Sequence, residues 1–159
     1  MNNKEMFKEE YDITKEEAAT IDRSQLADRQ LSENEEIYKE NIIDHYKNPH
    51  NHGKMEDYSI MHRELNPLCG DDITIYAKIK NNKIIDISFV GKGCAISQAS
   101  VSLLTDYVKK MELEKVKEIN GDEVLKLLGI PIGVVRMKCA LLSLKTLLKG
   151  LQKFEYGGM

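Results

Sequence analysis

The chain has 159 residues, of which 42% are hydrophobic and 31% charged, a composition typical of one globular domain. No apolar run approaches the roughly 20 residues that a membrane-spanning helix needs, and the acidic N-terminal stretch lacks the apolar core of a secretory signal. The net charge is only −3 and the Lys and Arg residues form no stripe, so we expect a cytoplasmic protein that binds neither membranes nor nucleic acid.

The charge is spread unevenly along the chain. Residues 1–36 contain 11 acidic and 5 basic residues, a net charge of −6, whereas the remainder carries +3. Ile21, Leu26 and Leu31 of this first stretch are spaced five apart, a spacing that drifts around a helix. We therefore predict an acidic N-terminal extension over residues 1–36, helical or disordered, a folded domain over 37–153 and a flexible tail over 154–159.

The apolar pattern sharpens from residue 37. The stretch IYKENIIDHYKNP places its isoleucines and Tyr46 near one helical face, and Asn48-Pro49 ends the predicted helix. After a polar loop, YSIMHREL is typical of a strand. In DITIYAKIKNNKIIDISFVGKG, apolar and polar residues alternate on both sides of Asn81-Asn82, which predicts a hairpin with a tight turn.

Helical spacing follows the hairpin. CAISQASVSLLTDYVKKM begins with small residues that predict close packing, and its predicted apolar face comprises Leu103, Leu104, Tyr107 and Val108. NGDEVLKLLG predicts a short helix, GIPIGV a loop, and VRMKCALLSLKTLLKGLQKF the last helix. The sequence therefore predicts an α+β fold, in which a three-stranded antiparallel sheet has helices packed on one face.

The three cysteines, Cys69, Cys94 and Cys139, lie 25 and 45 residues apart. An odd number in a cytoplasmic chain argues against a disulfide framework, and the sequence contains no CxxC motif of the kind that zinc fingers use. Isolated cysteines are often small buried hydrophobes, so scattered structural cysteines are one interpretation.

The predicted elements favour a second interpretation, because each cysteine falls near an element end. Cys69 lies in the turn before the hairpin, and Cys94 and Cys139 lie near helix N-termini, where the helix dipole favours a thiolate. Three thiolates need a fourth ligand to complete a zinc site or a [2Fe–2S] site. Asp71 is the nearest candidate, since Gly70 permits the bend that brings it to Cys69.

Four stretches carry a resemblance to a known family. YKENIIDHYKNPHNHGKM, NPLCGDDI, FVGKGCAISQASVSLLTD and VRMKCALLSLKTL resemble, in order, the opening helix and the three cysteine motifs of the U-type iron–sulfur cluster scaffolds, namely IscU, SufU and the N-terminal domain of NifU. The resemblance runs from about residue 37 to about 153. It implies the SufE/NifU-like form of the α+β fold predicted above.

The resemblance also implies a function. Cys69, Cys94, Cys139 and Asp71 would bind the metal or cluster, with iron and a transient [2Fe–2S] cluster as cargo and zinc as a possible occupant of the same site. Members of the family accept sulfur from a cysteine desulfurase, combine it with iron and transfer the cluster to apo-proteins. The implied role is that of a scaffold and not of an enzyme.

Departures from the family pattern leave an alternative open. Lys138 stands where the IscU type has a histidine, and it resembles the SufU branch, whose members are zinc-dependent sulfurtransferases. In that alternative Cys139 would accept the persulfide and Lys138 would act electrostatically on it. The long insertion of the SufU branch is missing here, which favours the scaffold. IPIGVVRMK keeps one proline of the segment that a dedicated Hsp70 chaperone binds, so this chaperone is a doubtful partner.

Neighbouring polar residues have simpler interpretations. Asp71 could be a solvated turn residue and Lys138 an ordinary surface lysine. We expect Asp72 to face solvent and Arg136 to be a surface residue or a partner contact rather than a site residue. The histidines of HNH are expected to be solvated rather than to bind metal.

Overall fold

The computed structural model describes residues 31–157, so the predictions for residues 1–30 lie outside the described part of the chain. The elements, in chain order, are α1 (Glu33–Lys47), β1 (Ile60–Asn66), β2 (Asp71–Lys80), β3 (Lys83–Lys92), α2 (Ala95–Val108), α3 (Leu113–Lys117), α4 (Gly121–Leu128), a 3-10 turn (Val134–Arg136) and α5 (Met137–Gly157). Among the described helices, none combines the length and the apolar character that crossing a bilayer requires.

The described strands form one antiparallel sheet in the order β1-β2-β3, as predicted. Asn81 and Asn82, at the hairpin tip, have φ values of 53° and 61°, the left-handed conformation that a type I′ turn requires at both central residues. In the hairpin register Ile75 faces Phe89 and Ile73 faces Gly91. The predicted α+β class is therefore confirmed.

The inner face of the sheet packs against α2 and α5. The main core contains Ile73, Ile75, Ala77, Ile87 and Phe89 from the sheet, Val101, Leu104 and Val108 from α2, and Leu144, Leu147 and Leu151 from α5. A second buried cluster joins α1 to the other helices through Ile42, Ile96, Leu128, Ile130 and Ala140. Together the two clusters fix the ends of α2 and α5 relative to the sheet.

The structure differs from the predicted elements at several boundaries. α1 begins at Glu33 because Ser32 and Glu35 form a capping box, so the predicted boundary at residue 36 falls inside this helix. α5 continues to Gly157, beyond the predicted end of the helix at residue 154. α3 is a short helix that the apolar pattern did not indicate.

One core prediction was wrong. The Tyr107 side chain lies on the surface of α2, 41% exposed, and its hydroxyl donates a hydrogen bond of 3.0 Å to Glu123. The phenol of a tyrosine keeps a polar tip in water, so an apolar helical position does not by itself require burial.

Close packing at the start of α2 is confirmed, because its small residues, Ala95, Ser97, Ala99, Ser100 and Ser102, are all buried. The Ser100 hydroxyl donates to the carbonyl of Ala140 at 2.6 Å and lies 2.8 Å from the Ser143 hydroxyl. These contacts hold α2 directly against α5. The N-terminal ends of both helices are thereby brought to the same point.

Replacing Ser100 tests this close contact between the helices. We expect Ser100→Leu to lower the free energy of unfolding by about 2–4 kcal/mol, because the larger side chain overpacks the interface and breaks both hydrogen bonds. Ser100→Ala, which keeps the small volume, should cost only about 1 kcal/mol. Urea denaturation measures both values, and a leucine variant as stable as the alanine variant would show that the interface has spare room.

Candidate metal centre

The three cysteines and Asp71 come from four separate positions in the fold. Cys69 lies in the turn after β1, Asp71 is the first residue of β2, Cys94 is the N-cap of α2, and Cys139 is the third residue of α5. One sulfur or carboxylate oxygen each from Cys69, Asp71 and Cys139 lies within 4.8 Å of the other two. These three residues are at most 1% exposed.

The turn between β1 and β2 brings Cys69 and Asp71 together. The amide of Cys69 donates to the carbonyl of Asn66 at 3.1 Å, and Gly70 then reverses the chain with a φ of 67°. β2 begins at once with Asp71, which pairs with Asn66 of β1. The sequence NPLCGDD therefore forms a tight turn whose thiol and carboxyl point into the protein.

Cys94 adjoins this pair through the backbone. It begins α2 in an extended conformation, with φ −72° and ψ 167°, and its amide donates to Asp71 Oδ1 at 3.2 Å. Cys94 is partly buried and lies beside the group formed by Cys69, Asp71 and Cys139, which are buried. Gly93 has a φ of 151°, and a Cβ added there would lie 2.3 Å from Asp71 Oδ1, so only glycine fits beside the carboxyl.

Cys139 is the centre of the hydrogen bonds in the cluster. Its sulfur accepts from Arg136 Nη1 at 3.6 Å and from Asn66 Nδ2 at 3.7 Å, and Asn66 Nδ2 also lies 3.4 Å from Asp71 Oδ2. Arg136 and Asn66 are themselves buried. Asn66 was not among the predicted site residues, although it is the first residue of the cysteine motif NPLCGDDI.

The electrostatics of the cluster follow from this burial. Hydrogen bonds from the Cys69 and Cys94 thiols, together with those from Asp71 and Arg136, lower the pKa of Cys139, whereas burial alone would raise it. Hydrogen bonding to Cys139 and burial raise the pKa values of Cys69 and Cys94. Burial, followed by the charge on Cys139, raises the pKa of Asp71 to about 8. Burial and hydrogen bonding within the cluster therefore oppose full ionisation of its acidic groups.

The expectation that Arg136 lies at the surface was wrong. Its side chain is 0% exposed, and the 3-10 turn that precedes α5 directs its guanidinium to the Cys139 sulfur. The spacing of three residues between Arg136 and Cys139, close to one helical turn, was the feature in the sequence that could have indicated this contact.

Lys138 lies in a different environment. It is exposed and lines a surface groove with Leu65, Leu68, Leu141 and Lys145. The positive group that contacts Cys139 in the structure is Arg136, and the electrostatic role of Lys138 stays a prediction.

Two further expectations for polar residues can be compared with the structure. Asp72 does not simply face solvent, since its carboxylate is 18% exposed and accepts hydrogen bonds from Arg63 Nε at 2.9 Å and Nη2 at 2.7 Å. His52 is exposed and stacks edge-on against Phe89. None of the four histidines belongs to the group formed by Cys69, Asp71 and Cys139.

The donor set of this cluster fits a soft or borderline metal ion. Thiolates suit zinc and Fe–S iron. A bound dication would favour the charged forms of Asp71, Cys69 and Cys94, whose pKa values are raised by burial for Asp71 and by hydrogen bonding to Cys139 and burial for the two thiols. The nearby guanidinium of Arg136 adds positive charge on the same side as Cys139. These residues therefore have the chemistry of a metal centre, not that of a hydrophobic core.

Known proteins of similar sequence include a sulfurtransferase and a cluster assembly scaffold. The chain is 36% identical to the zinc-dependent sulfurtransferase SufU of Bacillus subtilis (strain 168), over 76% of this chain and 93% of that protein. It is 32% identical to the iron–sulfur cluster assembly scaffold protein IscU of Thermotoga maritima, over 75% of this chain and 95% of that protein.

A solved structure is also similar. The putative iron–sulfur cluster assembly scaffold protein for the SUF system from Fervidobacterium islandicum superposes with a TM-score of 0.62 at 30% identity, covering 73% of this chain and 97% of that one. The model of the NifU-like N-terminal domain matches residues 37–157. The chain therefore belongs to the NifU-like N-terminal domain family.

Proposed function

We propose that the protein is an iron–sulfur cluster assembly scaffold, which accepts sulfur from a cysteine desulfurase, combines it with iron and transfers a transient [2Fe–2S] cluster to apo-proteins. The observation that carries this proposal is the buried group of Cys69, Asp71 and Cys139, which the amide of Cys94 and the guanidinium of Arg136 adjoin. The similarity to IscU and SufU proteins supports the same class of function.

In this proposal the four ligands have unequal roles. Cys69, Cys94 and Cys139 supply soft thiolates that bind Fe–S iron well, whereas Asp71 supplies a harder oxygen that binds it weakly. Asp71 Oδ1 also accepts a hydrogen bond from the amide of Cys94, which competes with a metal for the same carboxylate. The site therefore has one ligand that is easier to displace, as a protein that releases its cargo requires.

Sulfur must enter a site that is closed in the structure. Cys139, the proposed persulfide acceptor, is 0% exposed, so sulfur transfer to it requires a partner to open the cluster. Exposed apolar side chains lie close to the turn that carries Cys69 and to the start of α5, notably Leu65, Leu68 and Val134 at 50%, 59% and 92%. We propose that the desulfurase contacts this surface, since apolar contacts exclude water around the transferred sulfur.

The alternative function is that of a zinc-dependent sulfurtransferase, in which Zn²⁺ stays in the site and the persulfide is the cargo. Lys138 and the similarity to SufU of Bacillus subtilis favour it. The same four ligands would bind the zinc, and the thiolate that accepts sulfur would leave it transiently.

Anaerobic reconstitution distinguishes the two functions. The full chain is incubated with ferrous iron, cysteine and a cysteine desulfurase. A thiol reductant is then added to supply the electrons that convert persulfide sulfur to the sulfide of a cluster, and a reaction without cysteine serves as the control. We expect the visible absorption of a [2Fe–2S] cluster to appear on the protein and then to move to an apo-ferredoxin. Retention of tightly bound zinc, with a persulfide on a cysteine and no cluster, would instead establish the sulfurtransferase.

Asp71 has a matched control in its neighbour Asp72, whose carboxylate pairs with Arg63 away from the thiols. We expect Asp71→Ala to slow cluster transfer to apo-ferredoxin by roughly tenfold, because the labile oxygen ligand is lost. Asp72→Ala should transfer at the wild-type rate. Equal transfer rates for wild type and Asp71→Ala would remove the release role of this carboxylate.

Arg136 provides a third test. Arg136→Met should lower the affinity of the site for Zn²⁺ by roughly 10- to 100-fold, because it removes the buried positive group that contacts Cys139. Lys145→Met removes an exposed cation of α5 and should leave the affinity unchanged. Competition with a chromophoric chelator measures both variants. Wild-type affinity in a folded Arg136→Met protein would show that the guanidinium only fills space.

A further inference from the structure

A second cluster of metal-binding side chains lies near the other end of α2. It comprises His45 on α1, His50 in the loop after α1, and Asp106 near the C-terminus of α2. One ring nitrogen of each histidine and one carboxylate oxygen lie within 4.8 Å of one another. Asp106 is twelve residues beyond Cys94 in the chain, about 18 Å along the helix, so this cluster is separate from the cysteine centre.

His45 is the fixed member of this cluster. Its side chain is 5% exposed, and its Nδ1 lies 2.7 Å from the hydroxyl of Ser102, which leaves Nε2 for another partner. Burial and the neighbouring His50 lower the pKa of His45, so its imidazole is neutral at pH 7, the form that binds metal. A metal-binding histidine commonly donates the N–H of its other ring nitrogen to an oxygen. The contact of His45 Nδ1 with the Ser102 hydroxyl allows such a hydrogen bond.

The loop that carries His50 is held on both sides. The amide of His50 donates to the Ser102 hydroxyl at 2.8 Å, and the Asn51 side-chain amide donates to Thr105 Oγ1 at 3.0 Å. The amide of Phe89 donates to the carbonyl of Asn51 at 2.9 Å. The position of His50 is therefore set by the fold, and binding of an ion would not require the loop to become ordered.

His50 and Asp106 face each other at the rim of the cluster. His50 Nδ1 lies 2.5 Å from Asp106 Oδ2, and Asp106 Oδ1 accepts from Asn51 Nδ2 at 2.8 Å. The side chains of His50 and Asp106 are 49% and 45% exposed, so both can reorient around an ion while His45 stays in place. The ring centroids of the two histidines are only 4.3 Å apart.

We propose that His45, His50 and Asp106 bind a divalent first-row transition-metal ion of the Zn²⁺ class. Two imidazole nitrogens and one carboxylate oxygen suit such ions, and one negative charge among the three ligands suits a dication. With two of its three ligands exposed, the site leaves coordination positions open to solvent and exchanges its ion readily. This site goes beyond the proposed scaffold function and does not depend on it.

Zinc titration of the full chain tests the second site. The protein is first loaded with one equivalent of Zn²⁺, and protection of the thiols from a disulfide reagent shows that this ion occupies the cysteines. Calorimetry then follows further Zn²⁺. We expect a second, weaker equivalent on the wild type, and at least a tenfold loss of its affinity in His50→Gln and in Asp106→Asn, each of which loses a ligand at the exposed rim.

The matched control is His52→Gln, which removes a histidine of the same loop outside the cluster and should keep the second equivalent. Circular dichroism shows that each variant is folded, and thiol protection shows that the cysteine centre is still loaded. The proposal is overturned if the wild type takes up no second ion, if either His50→Gln or Asp106→Asn keeps wild-type affinity, or if His52→Gln loses the second ion as well. Failure of cluster assembly would leave these outcomes unaffected.

Discussion

The candidate centre places several acidic groups in or beside the protein interior, where burial disfavours their charged forms. Two thiols and one carboxyl lie together in the protein interior, Cys94 adjoins them at the start of α2, and the guanidinium of Arg136 contacts the Cys139 sulfur. The pKa values of Asp71, Cys69 and Cys94 are raised, so these groups stay protonated at a higher pH than usual. A bound cation would favour the charged forms of these groups. Their arrangement therefore favours a bound metal or cluster even without a partner protein.

The thiols and the carboxyl can be held close together because contacts outside the cluster fix the backbone. The hydrogen bonds of Ser100 to α5 bring the starts of α2 and α5 together, and the β1-β2 turn places Cys69 and Asp71 opposite them. None of these contacts involves a ligand atom. Contacts in the core therefore fix the geometry of the cluster without using its sulfur and carboxyl oxygen atoms.

Much of this arrangement was predictable from the sequence, and the exceptions have physical reasons. The Asn81-Asn82 hairpin and the small residues of α2 follow from local patterns, and the cysteines were placed correctly because turn and helix-start signals surround them. The burial of Arg136 was missed because arginine side chains are usually exposed, and its contact with Cys139, three residues away, forms only once the start of α5 is packed inside the protein. His45 and Asp106 meet across two helices, 61 residues apart, which no local pattern encodes.

Zinc and a [2Fe–2S] cluster of the same charge would leave the centre with the same net charge, so electrostatics alone does not separate a scaffold from a sulfurtransferase. The two functions differ in whether the Asp71 carboxylate must be displaced from the bound metal. Its Oδ1 accepts from the amide of Cys94, and Gly93 leaves no space beside it for a Cβ. The carboxylate is therefore tied to the first residues of α2, and a movement of this helix end would displace the Asp71 oxygen and the Cys94 sulfur together. Under the proposed scaffold function such a coupled displacement would release a whole cluster, whereas sulfur transfer would need only one thiolate to move.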